Sequence, residues 1–310
     1  MIRVFVDGGS GTTGLRIADR LDCRDDIERI TLPSEKRHDE GCRAEAINSS
    51  DVAFLCLPDD QAVVSASLCS SERTVIIDTS TAHRTSPRWV YGFPELGEKY
   101  LEGVRTSKRI AVPGCHAGGF ISLVAPLVES GVLGRGAALS CTSLTGYSGG
   151  GKKMIAQYED GERDALLGAP RLYGLSQTHK HLKEMKAVCG LDSFPAFLPV
   201  VGDFYSGMLT TVALFSDMLA PSRGIDDIKE VYRGLYKGGV VSFVEDADEA
   251  GFMSAGALTG SDRMEISVFG NEDRILLCSR FDNLGKGASG AAVECMNIAL
   301  GLPAETGLEL

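Results

Sequence analysis

The residue best placed for covalent chemistry in this sequence is Cys115, which follows a Pro-Gly pair. Residues 109–112 read as a short strand, and the stretch from Cys115 to about Glu129 is helix-like. This order predicts Cys115 at a helix amino terminus, where the helix dipole favours the nucleophilic thiolate over the thiol. The other eight of the nine cysteines lack this context, so we expect them to be inert small hydrophobic side chains.

A cysteine nucleophile needs a proton shuttle, and the chain holds five histidines. Residues 177–188 read as a helix on which His181 and Glu184 are three positions apart and share a face. The carboxylate is therefore expected to orient and charge-stabilise the imidazole of His181. His179 is expected to point elsewhere, and the side chain of His116 to point away along its own helix. The alternative is that these histidines are solvated side chains on a basic helix face.

A second constellation follows a strand predicted at 2–6, where three glycines recur at a spacing of three residues. Strand, glycine loop and helix-like stretch stand in the order of a dinucleotide-binding fingerprint. Glycines permit the tight turn and the close approach of backbone to a pyrophosphate, and the helix amino terminus supplies free N–H groups. The residues expected to contact the cofactor are Gly8, Ser10, Gly11, Thr12, Thr13 and Gly14. The alternative is a glycine-rich turn that binds nothing.

The choice between NAD and NADP is indicated about 20 residues beyond such a loop, where an acid typically marks NAD and a basic side chain marks NADP. The sequence there is Ser34-Glu35-Lys36-Arg37. The hydroxyl of Ser34 and the cation of Arg37 suit a 2′-phosphate, which favours NADP(H). Glu35 leaves NAD open, because its carboxylate suits a 2′-hydroxyl.

Length and charge limit the classes to which the protein can belong. A chain of 310 residues predicts about two domains. The 42 acidic and 31 basic residues give a net charge of −11, which argues against nucleic-acid binding, so an anionic substrate must be held by a few local cations. We find no apolar run of about 18 residues, no secretory signal and no C-x-x-C pair. We therefore expect neither membrane binding nor a metal site, and a cytoplasmic location.

The elements that must position these residues follow two patterns. Over the first third, apolar runs of strand length alternate with amphipathic stretches, which predicts a Rossmann-type, doubly wound parallel α/β sheet. After residue 130, one-sided strands such as 263–269 mix with helices such as 226–235, which predicts an α+β domain with a mixed sheet. We expect a dinucleotide-binding domain at 1–114, a catalytic and oligomerisation domain at 115–284, and a segment at 285–310 that packs back on the first domain. The expected strands are 2–6, 30–32, 52–57, 74–77, 208–215, 263–269 and 274–281.

Six motifs occur in order along residues 8–288. They are Gly8-x-x-Gly11-x-x-Gly14, Asp78-Thr-Ser-Thr-Ala-His-Arg84 with Tyr91-Gly-Phe-Pro-Glu95, Val112-Pro-Gly-Cys115, Ser148-Gly-Gly-Gly-Lys152, His179-Lys-His-Leu-Lys-Glu184 and Asp282-Asn-Leu-Gly-Lys-Gly-Ala288. Together they resemble the N-acetyl-gamma-glutamyl-phosphate reductase family in its shorter form, within the wider aspartate-semialdehyde dehydrogenase group. The chain departs from the longer form at His116-Ala117, where an aromatic residue and a proline commonly follow the cysteine.

The resemblance implies a cysteine nucleophile at Cys115, a histidine acid/base at His181 and NADPH as cofactor. It also implies reduction of a small-molecule acyl phosphate, N-acetyl-L-glutamyl 5-phosphate, to the 5-semialdehyde through a thioester, in arginine biosynthesis. A homodimer or homotetramer is implied as well. Two alternatives stay open: another phosphorylating semialdehyde dehydrogenase that acts on aspartyl phosphate, and a regulator that binds NADPH without turnover.

Five further residues are candidates because they lie in these motifs. Gly149 and Gly150 are expected to let the backbone approach the nicotinamide or the phosphates, with a flexible hinge as the alternative. Asn283 is expected to contact the cofactor, with a loop cap as the alternative. Arg84 is a candidate anion clamp, because a guanidinium grips a carboxylate or phosphate at two points. Lys152 is a second substrate-binding candidate, and both cations are alternatively ordinary surface charges.

Overall fold

The amino-terminal strands form one parallel sheet in the computed structural model of this chain, which describes residues 1–310. The six strands are β1 (Ile2–Asp7), β2 (Ile27–Ile30), β3 (Val52–Leu55), β4 (Val75–Asp78), β5 (Val90–Tyr91) and β6 (Arg109–Ala111). Their order is β2-β1-β3-β4-β6-β5, and every pairing is parallel. The helices between them are α1 (Thr12–Asp22), α2 (Glu40–Asn48), α3 (Asp59–Ser67) and α4 (Glu98–Thr106). The predicted Rossmann-type sheet is confirmed.

Continuous apolar strands let this sheet be covered on both faces. All four residues of β3 are buried. Val52 and Phe54 pack in one apolar cluster, and Ala53 and Leu55 pack in another, because successive side chains of a strand point to opposite faces. The sheet is therefore buried on both sides.

Two strands of this sheet differ from the sequence prediction by more than one residue: β3 ends at Leu55 instead of residue 57, and β2 differs at both ends. The pattern predicted a strand at 30–32, whereas β2 covers Ile27–Ile30. Pairing sets this boundary, because the register with β1 places Ile2 opposite Ile27 and Phe5 opposite Ile30. Leu32 lies in the connection that follows the strand, and its apolar side chain packs against the core.

The middle of the chain forms a seven-stranded sheet. Its strands are β7 (Ser140–Gly146), β8 (Arg171–Leu172), β9 (Ala196–Gly202), β10 (Met208–Phe215), β11 (Val241–Phe243), β12 (Met264–Gly270) and β13 (Arg274–Phe281). The order is β11-β12-β13-β10-β7-β9-β8; β7 with β9 and β11 with β12 are parallel, and the other pairs are antiparallel. The helices are α5 (Cys115–Glu129), α6 (Gly151–Glu159), α7 (His181–Cys189) and α8 (Ile225–Leu235). The predicted mixed sheet is confirmed.

Helix α5 lies against the inner face of this sheet and is buried along most of its length. Its close approach depends on Gly119, because a Cβ at that position would overlap the hydroxyl of Thr210 on β10. The inner face also carries Ser143 of β7 and Ser279 of β13, both fully buried. Helix α5 therefore packs directly on the polar side chains of the central strands.

The expectation of a one-sided β12 is only partly met. Met264, Ile266 and Val268 are buried as predicted, but Ser267 on the opposite face is buried too. The connection after β11 reaches this face near Glu265, because Arg280, opposite Glu265 in the register, donates to the carbonyl of Ala247. The alternation of residues in β12 does not predict this contact.

The last helix, α9 (Gly290–Ala299), returns to the first sheet after a π-helical turn at Gly285–Ser289. Chain contacts divide the protein into two units. Unit 1 comprises Met1–Pro94, Glu98–Gly114 and Ala288–Leu308, and unit 2 comprises Glu95–Gly97, Cys115–Gly287 and Glu309–Leu310. Within unit 1, α9 packs against α1, α4 and β4. None of the helices combines the length and apolar character required to cross a membrane.

Candidate active site

Cys115 is the first residue of α5 and is partly exposed. The predicted position at a helix amino terminus is confirmed, where the free N–H groups and the dipole of a long buried helix favour a thiolate. Several other thiols are in a different environment. Burial raises the pKa of Cys56 to about 12 and also raises the pKa values of Cys141 and Cys189, so these thiols stay protonated and unreactive.

Three of the five histidines gather in unit 2, and we call His116, His179 and His181 the imidazole cluster. Ring centroids lie 5.7 Å apart for His116 and His181, 4.7 Å for His179 and His181, and 6.0 Å for His116 and His179. The ring of Phe197 on β9 packs edge-on against His116 and His179. The prediction that His179 points elsewhere was wrong, and His116, expected to point away, lies in the same group.

The error for His179 comes from the start of the helix. The pattern predicted helix from residue 177, but α7 begins at His181, so helical spacing does not apply to His179. Gln177 has a φ of 56°, and its side-chain amide pairs with the backbone of Phe197, donating at 2.7 Å and accepting at 2.8 Å. This pairing fixes the loop before α7. The backbone N–H of His181 then donates to Nδ1 of His179 at 3.3 Å.

His181 and Glu184 lie in the first turn of α7, and both are buried. The distance from His181 Nε2 to Glu184 Oε1 is 4.0 Å, which is an ion-pair contact rather than a hydrogen bond. An acidic side chain in a first helical turn is also favoured by the dipole. His181 and Glu184 are thus neighbours, as predicted. A proton shared between them requires a distance shorter than 4.0 Å.

His116 is held by hydrogen bonds on both ring nitrogens. Its Nδ1 lies 2.7 Å from the hydroxyl of Ser143, which lies 2.9 Å from the hydroxyl of Thr210. Its Nε2 lies 2.7 Å from the hydroxyl of Tyr173. Burial is the main reason that the pKa of His116 falls to about 3, with a smaller effect of His179. His116 is therefore neutral at every physiological pH, with one nitrogen donating and the other accepting.

Tyr173 follows strand β8 and continues its pairing, since its N–H donates to the carbonyl of Pro199 at 3.0 Å. Burial raises the pKa of Tyr173, and the negative charge of the Cys115 thiolate raises it further. The hydroxyl therefore keeps its proton at physiological pH. Sequence reasoning missed this residue, because only the fold brings positions 57 apart into contact.

The glycine loop of unit 1 has the geometry of an anion cradle. Gly8 has a φ of 83°, and a Cβ on Gly14 would lie 2.6 Å from the carbonyl oxygen of Gly8. Gly11 precedes the first turn of α1 and offers no capping side chain, so the N–H groups of this turn face the loop. The arrangement fits a pyrophosphate on the backbone of this turn. Ser10, Thr12 and Thr13 lie in the same turn and are at least partly exposed.

The carboxyl end of β2 carries the residues expected to select the cofactor. Ser34, Lys36 and Arg37 are exposed in a short helical turn next to β1 and its glycine loop. The hydroxyl of Ser34 donates to Glu35 at 3.2 Å, and Nε of Arg37 donates to the carbonyl of Leu32 at 3.3 Å. Arg37 is exposed, so its guanidinium is accessible to solvent and to a ligand.

Arg84 lies buried in unit 1. Its Nε donates to the carbonyl of Val112 at 2.8 Å, and one terminal nitrogen donates to the carbonyl of Thr79 at 2.9 Å. In the same motif, the carboxylate of Asp78 accepts from Ser80 and lies 2.6 Å from Nδ1 of His83. The motif therefore fixes the loop after β4 to the end of β6.

The remaining candidates surround the loop after β7. Asn283 accepts from the N–H of Gly207 at 2.9 Å and donates to the hydroxyl of Ser148 at 3.0 Å, so it joins two loops. Gly149 and Gly150 are exposed in a tight turn before α6. Lys152 is exposed in the first turn of that helix. The two exposed glycines leave the backbone of this turn accessible to a ligand.

Two family models match the chain. The model described as semialdehyde dehydrogenase, NAD binding domain, matches residues 37–103, and the one described as semialdehyde dehydrogenase, dimerisation domain, matches residues 115–283. Among solved structures, a probable aspartate-semialdehyde dehydrogenase from Pseudomonas aeruginosa superposes with a TM-score of 0.72 at 16% identity, covering 96% of this chain and 98% of that one. The aspartate semialdehyde dehydrogenase with NADP from Candida albicans gives 0.68 at 15% identity, covering 99% and 100%. These two likenesses show the fold.

Curated relatives are much more similar in sequence. A protein of Nostoc sp. named N-acetyl-gamma-glutamyl-phosphate reductase 2 is 42% identical over an alignment of 320 positions, covering 99% of both chains. An N-acetyl-gamma-glutamyl-phosphate reductase of Rhizobium meliloti is 41% identical over 307 residues, covering 96% of this chain and 98% of its own. With identity at this level along nearly its whole length, the chain belongs to the N-acetyl-gamma-glutamyl-phosphate reductase family of oxidoreductases.

Proposed function

We propose that this chain reduces N-acetyl-L-glutamyl 5-phosphate to N-acetyl-L-glutamate 5-semialdehyde with NADPH, through a thioester on Cys115. The observation that carries the proposal is a partly exposed cysteine at the start of α5, followed directly by a member of the imidazole cluster. The names of relatives at 41% and 42% identity support the substrate. The two matched domains support a semialdehyde dehydrogenase with a nicotinamide cofactor.

Covalent capture begins with the sulfur. The thiolate of Cys115 attacks the acyl carbon of the substrate, the bond from that carbon to the phosphate oxygen breaks, and phosphate leaves with the bonding electrons. The first turn of α5 supplies N–H groups for the oxygen that becomes negative in the tetrahedral state. The product of this half-reaction is a thioester on Cys115.

His181 supplies the proton chemistry. Its imidazole stabilises the thiolate before attack and gives a proton to the oxygen that becomes negative during reduction. Glu184, 4.0 Å from Nε2, stabilises the protonated form of the ring. When NADPH is bound, it supplies the hydride that reduces the thioester carbonyl. His181 then takes the hydroxyl proton of the resulting hemithioacetal back, and collapse breaks the carbon–sulfur bond, releases the aldehyde and restores the thiolate.

The cofactor is held in this proposal by the glycine loop and the turn after β2. Backbone N–H groups of residues 11–14 bind the pyrophosphate. Gly8 and Gly14 carry no side chains, so they pack closely together and leave room for it. Ser34 and Arg37 bind the 2′-phosphate. Gly149 and Gly150 let backbone approach the nicotinamide, with Asn283 fixing their loop, while Arg84 and Lys152 supply cations for the substrate's anionic groups.

Assembly as a homodimer or homotetramer belongs to the same proposal. The outer face of the second sheet carries partly exposed apolar residues, and register places Leu209, Leu144 and Val200 side by side across β10, β7 and β9. The dimerisation-domain match over 115–283 includes this face, and we assign a second copy of the chain as its cover. Sedimentation equilibrium of the purified chain checks the mass of the assembly.

The location is a separate point of the proposal. Nine free cysteines favour a reducing, cytoplasmic location.

Turnover tests the proposal directly. Enzyme, NADPH and N-acetylglutamyl phosphate are mixed, and absorbance of the reduced nicotinamide is followed. We expect NADPH oxidation with release of phosphate in equal amount, and much slower oxidation with aspartyl phosphate. Faster turnover of aspartyl phosphate would instead favour the related dehydrogenase activity. NADPH binding without oxidation of either substrate would favour a regulator.

A further inference from the structure

The chain enters α9 through the π-helical turn at Gly285–Ser289. π-helical turns are rare and are frequently found at functional sites. This one belongs to the motif at 282–288, of which the proposed function uses only Asn283. The first three residues of the turn lie in unit 2, as Cys115 does. The turn is therefore a feature of the catalytic unit to which the proposed chemistry gives no role.

The backbone of this turn is held by Asp282. The carbonyl oxygen of Asp282 accepts from the N–H groups of Gly285 at 3.1 Å and of Gly287 at 3.0 Å. The carboxylate of Asp282 is fully buried, and it accepts from the hydroxyl of Ser206 at 3.1 Å and from the N–H of Gly260 at 2.6 Å. A shift of the turn would therefore strain buried hydrogen bonds to two other loops, which is costly.

Gly287 brings the turn into contact with Cys115. A Cβ at position 287 would lie 3.1 Å from the Cβ of Cys115, 3.1 Å from the carbonyl oxygen of Asp282 and 3.2 Å from Cε2 of Phe281. Carbon atoms in ordinary contact lie about 3.5–4.0 Å apart, so a side chain here would be crowded on three sides. The φ of Gly287 is not positive. The position therefore requires glycine for space beside Cys115, and not for its backbone conformation.

We propose that Gly287 is a positioning residue for the nucleophile: its missing side chain lets the π-helical turn lie against the Cβ of Cys115 and so limits the directions in which the sulfur points. A cysteine side chain turns about one torsion with three staggered positions, and atoms packed against its Cβ restrict them. The inference deepens the proposed function and rests on Cys115 as its nucleophile. No bond forms or breaks at Gly287, which acts only through Cys115.

A side chain at position 287 should displace Cys115 rather than the turn. The turn is held by the carbonyl of Asp282, whereas Cys115 is the first residue of its helix and is partly exposed. A contact of 3.1 Å must open by a few tenths of an ångström. Because misplacing a reacting group by about 1 Å costs about a hundredfold in rate, a shift of this size should slow attack by about tenfold.

The test compares capture of the acyl group with ionisation of the thiol, in the full chain without NADPH. Acylation of Cys115 by saturating N-acetylglutamyl phosphate is followed by rapid quenching and peptide-resolved mass spectrometry. Alkylation of Cys115 by iodoacetamide is followed across pH in parallel. We expect Gly287→Ala to form the acyl adduct about tenfold more slowly than the wild type. The pH midpoint of alkylation should not move, because the first turn of α5 still favours the thiolate.

Gly103→Ala is the matched control. A Cβ on this helical glycine would lie 3.0 Å from Cγ1 of Val90, so the variant introduces a similar contact within unit 1. We expect it to acylate Cys115 at the wild-type rate. The inference is overturned by an unchanged rate in folded Gly287→Ala or by an equal loss in Gly103→Ala. A slower acylation that a moved alkylation midpoint fully explains also overturns it, since the turn would then act on ionisation.

A second variant decides the matter if Gly287→Ala does not fold. Asp282→Asn keeps the size of the side chain, but its NH2 group cannot accept a hydrogen bond, so at least one contact that holds the turn is lost. Slower acylation with an unchanged alkylation midpoint supports the inference. Acylation at the wild-type rate overturns it.

The wild type separates this inference from the proposed function. If wild-type Cys115 forms the acyl adduct and Gly287→Ala forms it equally fast, only the role of Gly287 is overturned. If the wild type forms no adduct on Cys115 and does not oxidise NADPH with the acyl phosphate, the nucleophile itself is wrong, and both proposals are overturned.

Discussion

The glycine loop of unit 1 and the imidazole cluster of unit 2 are built in opposite ways. The loop is one run of chain, residues 8–14, whose backbone shape follows from its own glycines. The cluster joins α5 to the loop before α7, and its supporting hydrogen bonds span 27, 57 and 67 positions. A backbone site of the first kind depends on local conformation, whereas a side-chain site of the second kind depends on packing. A substitution that disrupts one of these two sites should therefore leave the other intact.

The largest expected effect is a loss of turnover when the candidate nucleophile is replaced, with no change at the glycine loop. Cys115→Ser should lower turnover by at least about a thousandfold, because a serine hydroxyl ionises far less readily than a thiol and is a far weaker nucleophile. Its NADPH affinity should match that of the wild type, measured by fluorescence titration. Cys23→Ser is the control, since that thiol is exposed in unit 1. Turnover close to normal in Cys115→Ser would rule out the thioester.

The second prediction concerns the cluster's dependence on burial. His116 has its pKa lowered from 6.5 to about 3 by burial, so the unfolded chain takes up a proton that the folded chain does not. Its contribution to the free energy of unfolding is complete above pH 6.5 and decreases as pH falls, by about 1.4 kcal/mol per pH unit. Urea unfolding between pH 6.5 and 4.5 should show a steeper loss for wild type than for His116→Asn.

The control for this prediction is His38→Asn, because His38 is exposed. It should keep the wild-type pH slope. Equal slopes in wild type and His116→Asn would contradict a buried, neutral His116. Burial also lowers the pKa of His179, so the variant is not expected to remove the whole slope.

The third prediction concerns a substitution that disrupts the glycine loop and leaves the imidazole cluster unchanged. Gly14→Ala places a Cβ 2.6 Å from the carbonyl oxygen of Gly8 and must displace it, so NADPH affinity should weaken by about ten- to a hundredfold. Alkylation of Cys115 should be unaffected. Gly234→Ala is matched to it, since a Cβ on that helical glycine meets no atom within 4 Å apart from its own helix backbone. Unchanged NADPH affinity in Gly14→Ala would remove the loop from the cofactor site.

The smallest expected effect tests cofactor choice. Arg37→Ala should raise KM for NADPH about five- to tenfold and leave KM for NADH unchanged, because only NADPH carries a 2′-phosphate for the guanidinium. Arg73→Ala is the control, an exposed arginine ahead of β4 at the opposite ends of the strands. Equal changes for both cofactors in Arg37→Ala would assign the selection to another residue.

Prediction from sequence was good where the signal is local. The apolar run of β3 and the alternation with helices predicted the parallel sheet, because burial on both faces demands continuous apolar strands. The Pro-Gly pair before Cys115 predicted the start of α5. The limits of β2 and α7 were wrong, since register with β1 and the amide of Gln177 on Phe197 set them from outside the segment.

By itself, the sequence determined the two kinds of sheet, the glycine loop and the place of Cys115, because each depends on residue types within one short run. Only the tertiary structure decided that His116 and His179 join His181, and that Tyr173 adds a hydroxyl to them. Such contacts form between segments far apart in the chain, through strand pairing and helix packing. No spacing along the sequence records which side chains these will bring together.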